Sequence, residues 1–293
     1  MSGQFAVILG VFLQSAGQIL YTTYLLAVPE PVFIFLSLLL VAAILIVSVR
    51  FGLPRTGWWL VFCNNLFTAI SYLCFFFALR LLVPAVVVAI DIGVSLITGA
   101  VIVSLGQRSF PNLQRLIVCA GISFGCLMLS VWQLGPVSGG HLVLWLAVLA
   151  SVAVGVSSAL TVEVCTKLAD KGWSRSAVVS QRFYLTLVLA LFICIANHTS
   201  VTTVNHKILL LIVGITLLGE LTPMLLLQTG MSRTDPLTVL VCMSLQPFIS
   251  FGLSFFSPIY SFDWRTFLGI SVVAGFAVFD VIAQARPGAA QPA

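Results

Sequence analysis

Apolar residues in this chain run in long unbroken stretches, and each stretch ends at a proline, a glycine or a charge. Runs of this kind predict helices that are apolar on every side, as expected where the surroundings are hydrocarbon. Ten can be bounded: 5–27, 32–49, 58–79, 82–104, 113–132, 142–165, 177–196, 208–229, 237–256 and 264–283. Crossing a hydrocarbon layer of about 30 Å takes roughly 20 apolar residues, so every run reaches or approaches a spanning length. The stops between them, among them Pro29, Pro31, Pro54, Pro111, Gly172, Pro236 and Pro258, are residues that disfavour helix continuation. No lysine or arginine precedes the first run and no small-residue cleavage site follows it, so it is expected to be a retained span and not a signal peptide.

Two of the runs are versions of one design. The stretch ALRLLVPAVVVAIDIGVSLITGA from Ala78 and the stretch GMSRTDPLTVLVCMSLQPFISFG from Gly230 align on Pro84 and Pro236, which lie 152 residues apart. The same shift carries the third run onto the eighth and the fifth onto the tenth, and it brings the second near the seventh. Five spans per copy is an odd number, so two such copies face opposite ways in a membrane, the plan on which many secondary transporters are built. The expected fold is therefore all-α and polytopic: ten transmembrane helices in two inverted five-helix repeats, residues 1–134 and 141–286, with a short tail at 287–293 and one integral membrane domain overall.

Composition agrees with lipid as the solvent. Hydrophobic residues make up 60% of the 293 and charged residues only 7%, with a mean hydropathy of +1.18; a soluble domain carries about a quarter charged. The net charge of +5 is spread over single residues, which leaves no footprint for nucleic acid. With the amino terminus in the cytoplasm, Arg50, Arg55, Arg108, Arg115, Lys167, Lys171, Arg175, Arg182, Arg233 and Arg286 fall inside, against Arg80, Lys207 and Arg265 outside. That bias places both termini in the cytoplasm by the positive-inside rule.

The seven cysteines lie inside apolar runs without a CxxC spacing, and the three histidines sit at span edges. Neither a disulfide framework nor a metal set is expected, and no GxxxxGK[ST] phosphate loop exists to bind ATP. No cofactor is expected.

Candidate chemistry then rests on polar residues inside the spans. Asp91 and Glu220 fall near the middle of the fourth and eighth runs, where an ionised side chain costs roughly 2.5–3.5 kcal/mol on insertion scales. They are expected to face protein or water. Asp91, Ser95 and Thr98 share a helix face by spacing, as do Thr216, Glu220 and Pro223. Gln14, Gln18 and Tyr21 form a further stripe on the first run; Asn64, Thr68 and Ser71 form one on the third, with Asn65 and Tyr72 beside it. Gln246, Ser250 and Ser254 line the ninth, which Pro247 is expected to kink. Acids in such a cavity can load and release a proton as water access changes, or meet a cationic solute directly; the bland reading is a protonated acid bonded to a neighbouring helix. Glu163, Arg182 and Asp280 lie nearer the cytoplasmic ends, where structural or topological roles are favoured. Gly121 and Gly125 make a GxxxG pattern fit for a close helix contact, within one chain or in a dimer.

Several of these residues carry a resemblance. Ala78-Leu79-Arg80, Pro84 and Leu105-Gly106-Gln107-Arg108 in the first copy, Ser232-Arg233, Pro236 and Gln246-Pro247 in the second, and Gln181-Arg182-Phe183 at the start of a second-repeat helix resemble the drug/metabolite transporter superfamily, in particular its EamA-like ten-helix members. The resemblance covers nearly the whole chain. Val94-Ser95 departs from the acidic-proline pair of that pattern, and the first span lacks its usual tryptophan, which leaves the subfamily open. The resemblance implies a secondary transporter with a central cavity between the repeats and alternating access.

The reading is then a secondary active exporter, not an enzyme, of a small organic solute. A neutral or cationic metabolite, an amino acid or a drug-like compound fits, with proton coupling or exchange. Its partners are the lipid bilayer, the solute and protons, as monomer or homodimer, in a bacterial inner membrane. The alternatives are a nucleotide-sugar or phosphate-ester exchanger, an intramembrane enzyme, or a receptor. A phosphate exchanger wants buried cations, and mid-span positions offer none, Arg182 being the nearest.

Overall fold

The computed structural model describes residues 3–48, 56–107, 113–133, 140–198, 205–231, 242–260 and 262–284. These residues form helices and turns, with no strand among them. In chain order the helices are α1 (Gly3–Tyr24), α2 (Glu30–Ser48), α3 (Trp58–Leu79), α4 (Pro84–Gln107), α5 (Leu113–Gln133), α6 (Gly140–Asp170), α7 (Arg175–Ser180), α8 (Tyr184–Ala196), α9 (His206–Thr216), a π-helical turn (Leu217–Leu221), α10 (Thr222–Met231), α11 (Gln246–Ser254) and α12 (Trp264–Gln284). Six stretches, Gly3–Tyr24, Trp58–Leu79, Pro84–Gly106, Leu142–Asp170, Ala177–Ala196 and His206–Leu227, are long and apolar enough to cross a membrane, which marks a multi-pass integral membrane protein. Glu30–Leu45, Ile117–Leu129 and Trp264–Phe279 are shorter apolar helices among the described residues.

Local chemistry sets several ends. Pro84 opens α4, where its missing N–H costs nothing. The Asn205 side chain accepts the Ile208 N–H at 2.9 Å and caps α9. At the end of α6, Gly172 takes a left-handed φ of 82°, Trp173 N–H reaches Leu168 C=O and Gly172 N–H reaches Ala169 C=O. This is a Schellman closure, and Leu168 and Trp173 complete it with an apolar contact. The Trp173 indole also donates to Thr56 C=O at 2.8 Å, which ties this turn to the start of α3.

Helices from the first half of the chain pack mainly on helices from the second. α3 and α4 lie on α6, α1 on α10, the π turn and α11, α5 on α12, and α2 on α8. Glycines allow the closest approaches. A methyl on Gly17 would meet Gly219 Cα at 2.4 Å, and one on Gly155 would meet Asp91 C=O at 2.7 Å, so α1 touches the π turn and α6 touches α4 almost backbone to backbone. Gly121 and Gly125 seat Phe276 and Val273 of α12, so the GxxxG pattern serves a contact within the chain. The largest core cluster joins α1, α2 and α3 through Tyr21, Phe33 and Phe76, whose ring centres lie 4.6–5.0 Å apart.

Three expectations from the sequence change. The sixth run is extended: α6 continues to Asp170, about 46 Å at 1.5 Å per residue, and its last turns carry the exposed Lys167–Glu163 pair at 3.0 Å. The seventh run is two helices, broken over 181–183. The eighth contains the π turn, whose cause is Pro223. Lacking an N–H, Pro223 cannot bond Gly219 C=O, and Thr222 N–H reaches back five residues to Leu217 C=O. Pro236, the second landmark of the repeat, lies outside the described residues, as do Arg50, Arg55, Arg108, Arg233, the start of the ninth run and the 287–293 tail.

Candidate functional site

Gly17 and Gly219 bring two polar neighbours together. Gln18 and Tyr21 follow Gly17 on α1, and Glu220 follows Gly219 in the π turn. Glu220 Oε2, Gln18 Oε1 and the Tyr21 hydroxyl are all sealed from the surface, and none has a hydrogen-bond partner among the described residues. An unmet buried polar group costs about 1–3 kcal/mol, more for a charged one, so three in one contact require an explanation. The π turn supplies part of it: widened turns of this kind displace a side chain from the regular helical face and recur at functional positions.

The acid has phenols on two sides. The Tyr21 hydroxyl lies within Coulombic reach of Glu220 and of Glu30 and Arg80; the Tyr72 hydroxyl lies within reach of Glu220 and Arg182. Glu30 and Arg80 form an ion pair at 2.6 Å, and Arg80 also donates to Leu26 C=O, closing the α1–α2 turn against the end of α3. A chain of polar groups thus runs from Arg182 through Tyr72, Glu220 and Tyr21 to the Glu30–Arg80 pair.

Arg182 comes into this chain because the helix breaks. Asn65 on α3 donates from Nδ2 to Gln181 C=O at 2.5 Å and to Val61 C=O at 3.0 Å, and its Oδ1 accepts the Leu185 N–H at 3.2 Å. One amide therefore satisfies the last carbonyl before the break and a first-turn N–H of α8, which has no cap of its own. Arg182 sits between these clamps, half-buried, with Nε donating to the Thr68 hydroxyl at 3.3 Å and its guanidinium 5.4 Å from the centre of the Phe183 ring. The sequence reading assigned it a structural or topological role near the cytoplasmic end; the structure sets it against Thr68 and Tyr72 instead. The signal in the sequence was weak: Gln-Arg-Phe interrupts an apolar run, but only Asn65 on another helix explains the break.

Asp91 belongs to a second cluster. It faces Ser158 on α6, whose hydroxyl lies 3.3 Å from that of Ser71 on α3; Ser71 also bonds Ser157 at 3.0 Å. Asp91 and Glu220 are thus not brought into one pair, although α3 borders both clusters. Ser95 donates to Ile92 C=O on its own helix, and Ser95 and Thr98 keep partial exposure along α4 with Asp91.

Other candidates are committed to packing. Thr216 donates to Ser37 on α2 at 2.8 Å, so the expected Thr216, Glu220, Pro223 face is divided where the π turn begins. Asn64 is buried and accepts from Cys165 at 3.6 Å, and Ser250 bonds Ser15 at 3.0 Å. Gln246 is buried at the start of α11, which begins after an interruption at Leu245 with Pro247 in its first turn. Gln14 is half-buried on α1, Pro223 is buried in α10, and the Asp280 side chain lies outside the described residues.

Two concavities open elsewhere. One of about 230 Å³ lies among Phe251, Tyr260, Asp263 and Thr266, and one of about 330 Å³ lies among Trp58, Asn65, Tyr184 and Val188. Neither is lined by Asp91 or Glu220. Among the described residues no group of His, Cys, Asp and Glu is arranged to hold a metal ion.

Comparison with known proteins bears on the fold alone. No family model matches the chain. No curated protein matches it. A solved structure described only as a crystal structure of a protein is similar, with a TM-score of 0.66 at 18% identity, over 98% of this chain and 98% of its own. The whole architecture is therefore one that another protein adopts.

Proposed function

We propose that this protein is a secondary active transporter of a small organic solute, working outward by alternating access with proton coupling or exchange, in a bacterial inner membrane. The observation that carries the reading is the occluded acid: Glu220 Oε2, with Gln18 Oε1 and the Tyr21 hydroxyl, sealed and unbonded where α1 meets the π turn. A structural acid would be bonded to its neighbour. One that must exchange its partner is left with lone pairs to fill.

The packing supports the two-repeat plan of ten spans with both termini cytoplasmic. Let α1 correspond to α6, α2 to α7–α8, α3 to α9–α10, α4 to α11 and α5 to α12. The contact of α3 with α6 then matches α1 with α10, that of α4 with α6 matches α1 with α11, and that of α3 with α8 matches α2 with α9. The α2–α8, α4–α11 and α5–α12 contacts map onto themselves. A two-fold relation between the halves has this consequence, and rocking one half on the other gives access to each side in turn. Sliding α1 along the Gly17–Gly219 contact would open Glu220 to one side, where it exchanges a proton for solute.

The test is flux in proteoliposomes under an imposed pH gradient, with a broad panel of neutral, cationic and zwitterionic solutes. Solute-dependent proton movement is expected, abolished by Glu220→Gln and altered by Asp91→Asn, with both variants monodisperse in detergent. Absence of flux across the panel overturns transport; normal flux in both variants overturns the assignment of the acids.

A further inference from the structure

Two charges in the middle of the fold have no opposite charge beside them. The ion pairs among the described residues are Arg80 with Glu30 and Lys167 with Glu163, and neither includes Arg182 or Glu220. Arg182 rests on neutral partners, the Thr68 hydroxyl and the Phe183 ring. Glu220 Oε2 rests on none. The usual remedy for a guanidinium and a carboxylate in a membrane is to pair them, since each costs several kcal/mol alone. Here Tyr72 stands within reach of both, and they do not meet.

The unmet groups at the two ends differ in kind. Near Glu220 they are acceptors: the carboxylate oxygen and Gln18 Oε1, with the Tyr21 hydroxyl able to accept as well. Near Arg182 the guanidinium can only donate. Asn65 and Thr68 hold that guanidinium at the break without neutralising it. One end thus asks for a cation rich in N–H donors and the other for an anion with the geometry of a carboxylate.

Building on the transporter reading above, we propose that Arg182 and Glu220 are the two poles of one binding site, and that its solute is a zwitterion with a primary ammonium and a carboxylate, as in an α-amino acid. The ammonium donates to Glu220, Gln18 and Tyr21, and the carboxylate meets Arg182. Tyr72 contacts the solute between them. A purely cationic solute would leave Arg182 unanswered, and a phosphate ester would leave Glu220 facing an anion.

Binding tests this without any gradient. The protein in lipid nanodiscs is screened against each of the common amino acids by thermal shift, and the best binder is titrated calorimetrically beside its N-acetyl and methyl-ester forms. Blocking either end is expected to weaken binding about thirtyfold or more, the cost of leaving a buried charge unpaired. Arg182→Gln should then bind the methyl ester as well as the free amino acid, and Glu220→Gln should do the same for the N-acetyl form. The inference is overturned if no amino acid binds, or if the blocked forms bind within about threefold of the free one, a difference under 1 kcal/mol. The wild-type series decides even where a variant fails to fold, and Arg182→Lys, which keeps the charge, should retain the preference for a free carboxylate. Proton-coupled flux of a purely cationic solute without amino-acid binding would remove this inference and leave transport standing. Amino-acid binding without flux in either direction would do the reverse.

Discussion

Asp263 holds the start of α12 through both carboxylate oxygens, which accept the Arg265 N–H at 3.1 Å, the Thr266 N–H at 3.2 Å and the Thr266 hydroxyl at 2.7 Å. Burial alone would push its carboxyl up, but these hydrogen bonds and the Arg265 charge outweigh it and hold the group below the usual carboxylate range. Because the folded value is the lower one, the cap stabilises the protein above the unfolded carboxylate pKa and loses its effect as pH falls through the folded one. Asp263→Ala is expected to cost about 1 kcal/mol at pH 7, and the gap between the two thermal unfolding curves in detergent should close as the buffer is taken to strongly acid pH. A gap that stays constant with pH would show that the carboxylate is not the stabilising group. Asp263 was not singled out in the sequence, although Asp-x-x-Thr before an apolar run is a helix-start pattern. Asp91 and Glu220 were legible at once, since a lone acid in an apolar run needs no fold to be noticed. Arg182 was visible but undervalued, because its surroundings come from residues 114 positions away at Thr68 and further still at Asn65.

The interrupted helices define the candidate site more than the regular ones do. Pro223 makes the π turn, and Gly17 and Gly219 let α1 lie against it. Gly17→Ala drives a methyl into the Gly219 backbone and is expected to lower stability by about 1–3 kcal/mol. Gly214→Ala, where nothing lies within 4 Å, should be neutral or stabilising by up to about 1 kcal/mol; equal behaviour of the two in chemical unfolding would contradict the close contact. Asn65→Ala removes the clamp on both sides of the 181–183 break and leaves Gln181 C=O and the Leu185 N–H unpaired, at about 1–3 kcal/mol. It should also weaken solute binding although Asn65 touches no solute, while an Asn65→Ala protein that binds as the wild type does would show that the break needs no brace. Runs 177–196 and 208–229 read as single helices in the sequence, because apolar composition is blind to where a backbone hydrogen bond is missing.

The two halves of the chain are not separate bodies. α3 and α4 lie on α6, and α1 lies on α10 and α11, so most of the close glycine contacts join one half to the other. Residues 1–134 and 141–286 expressed alone should therefore be degraded or aggregate, and co-expression should restore a protein that co-purifies and unfolds in one transition; a half that is stable and monodisperse by itself would refute this interleaving. The sequence by itself determined the solvent of this protein, the positions of its apolar runs and the identity of its buried acids, because each follows from composition over a window of about 20 residues. Only the tertiary structure decided that Glu220 meets Gln18 and Tyr21, that Asp91 goes instead to Ser158, and that Arg182 turns toward Tyr72. Those pairings depend on which helix faces lie against each other, and in hydrocarbon that is set by small residues such as Gly17, Gly155 and Gly219, whose partners are distant in the chain.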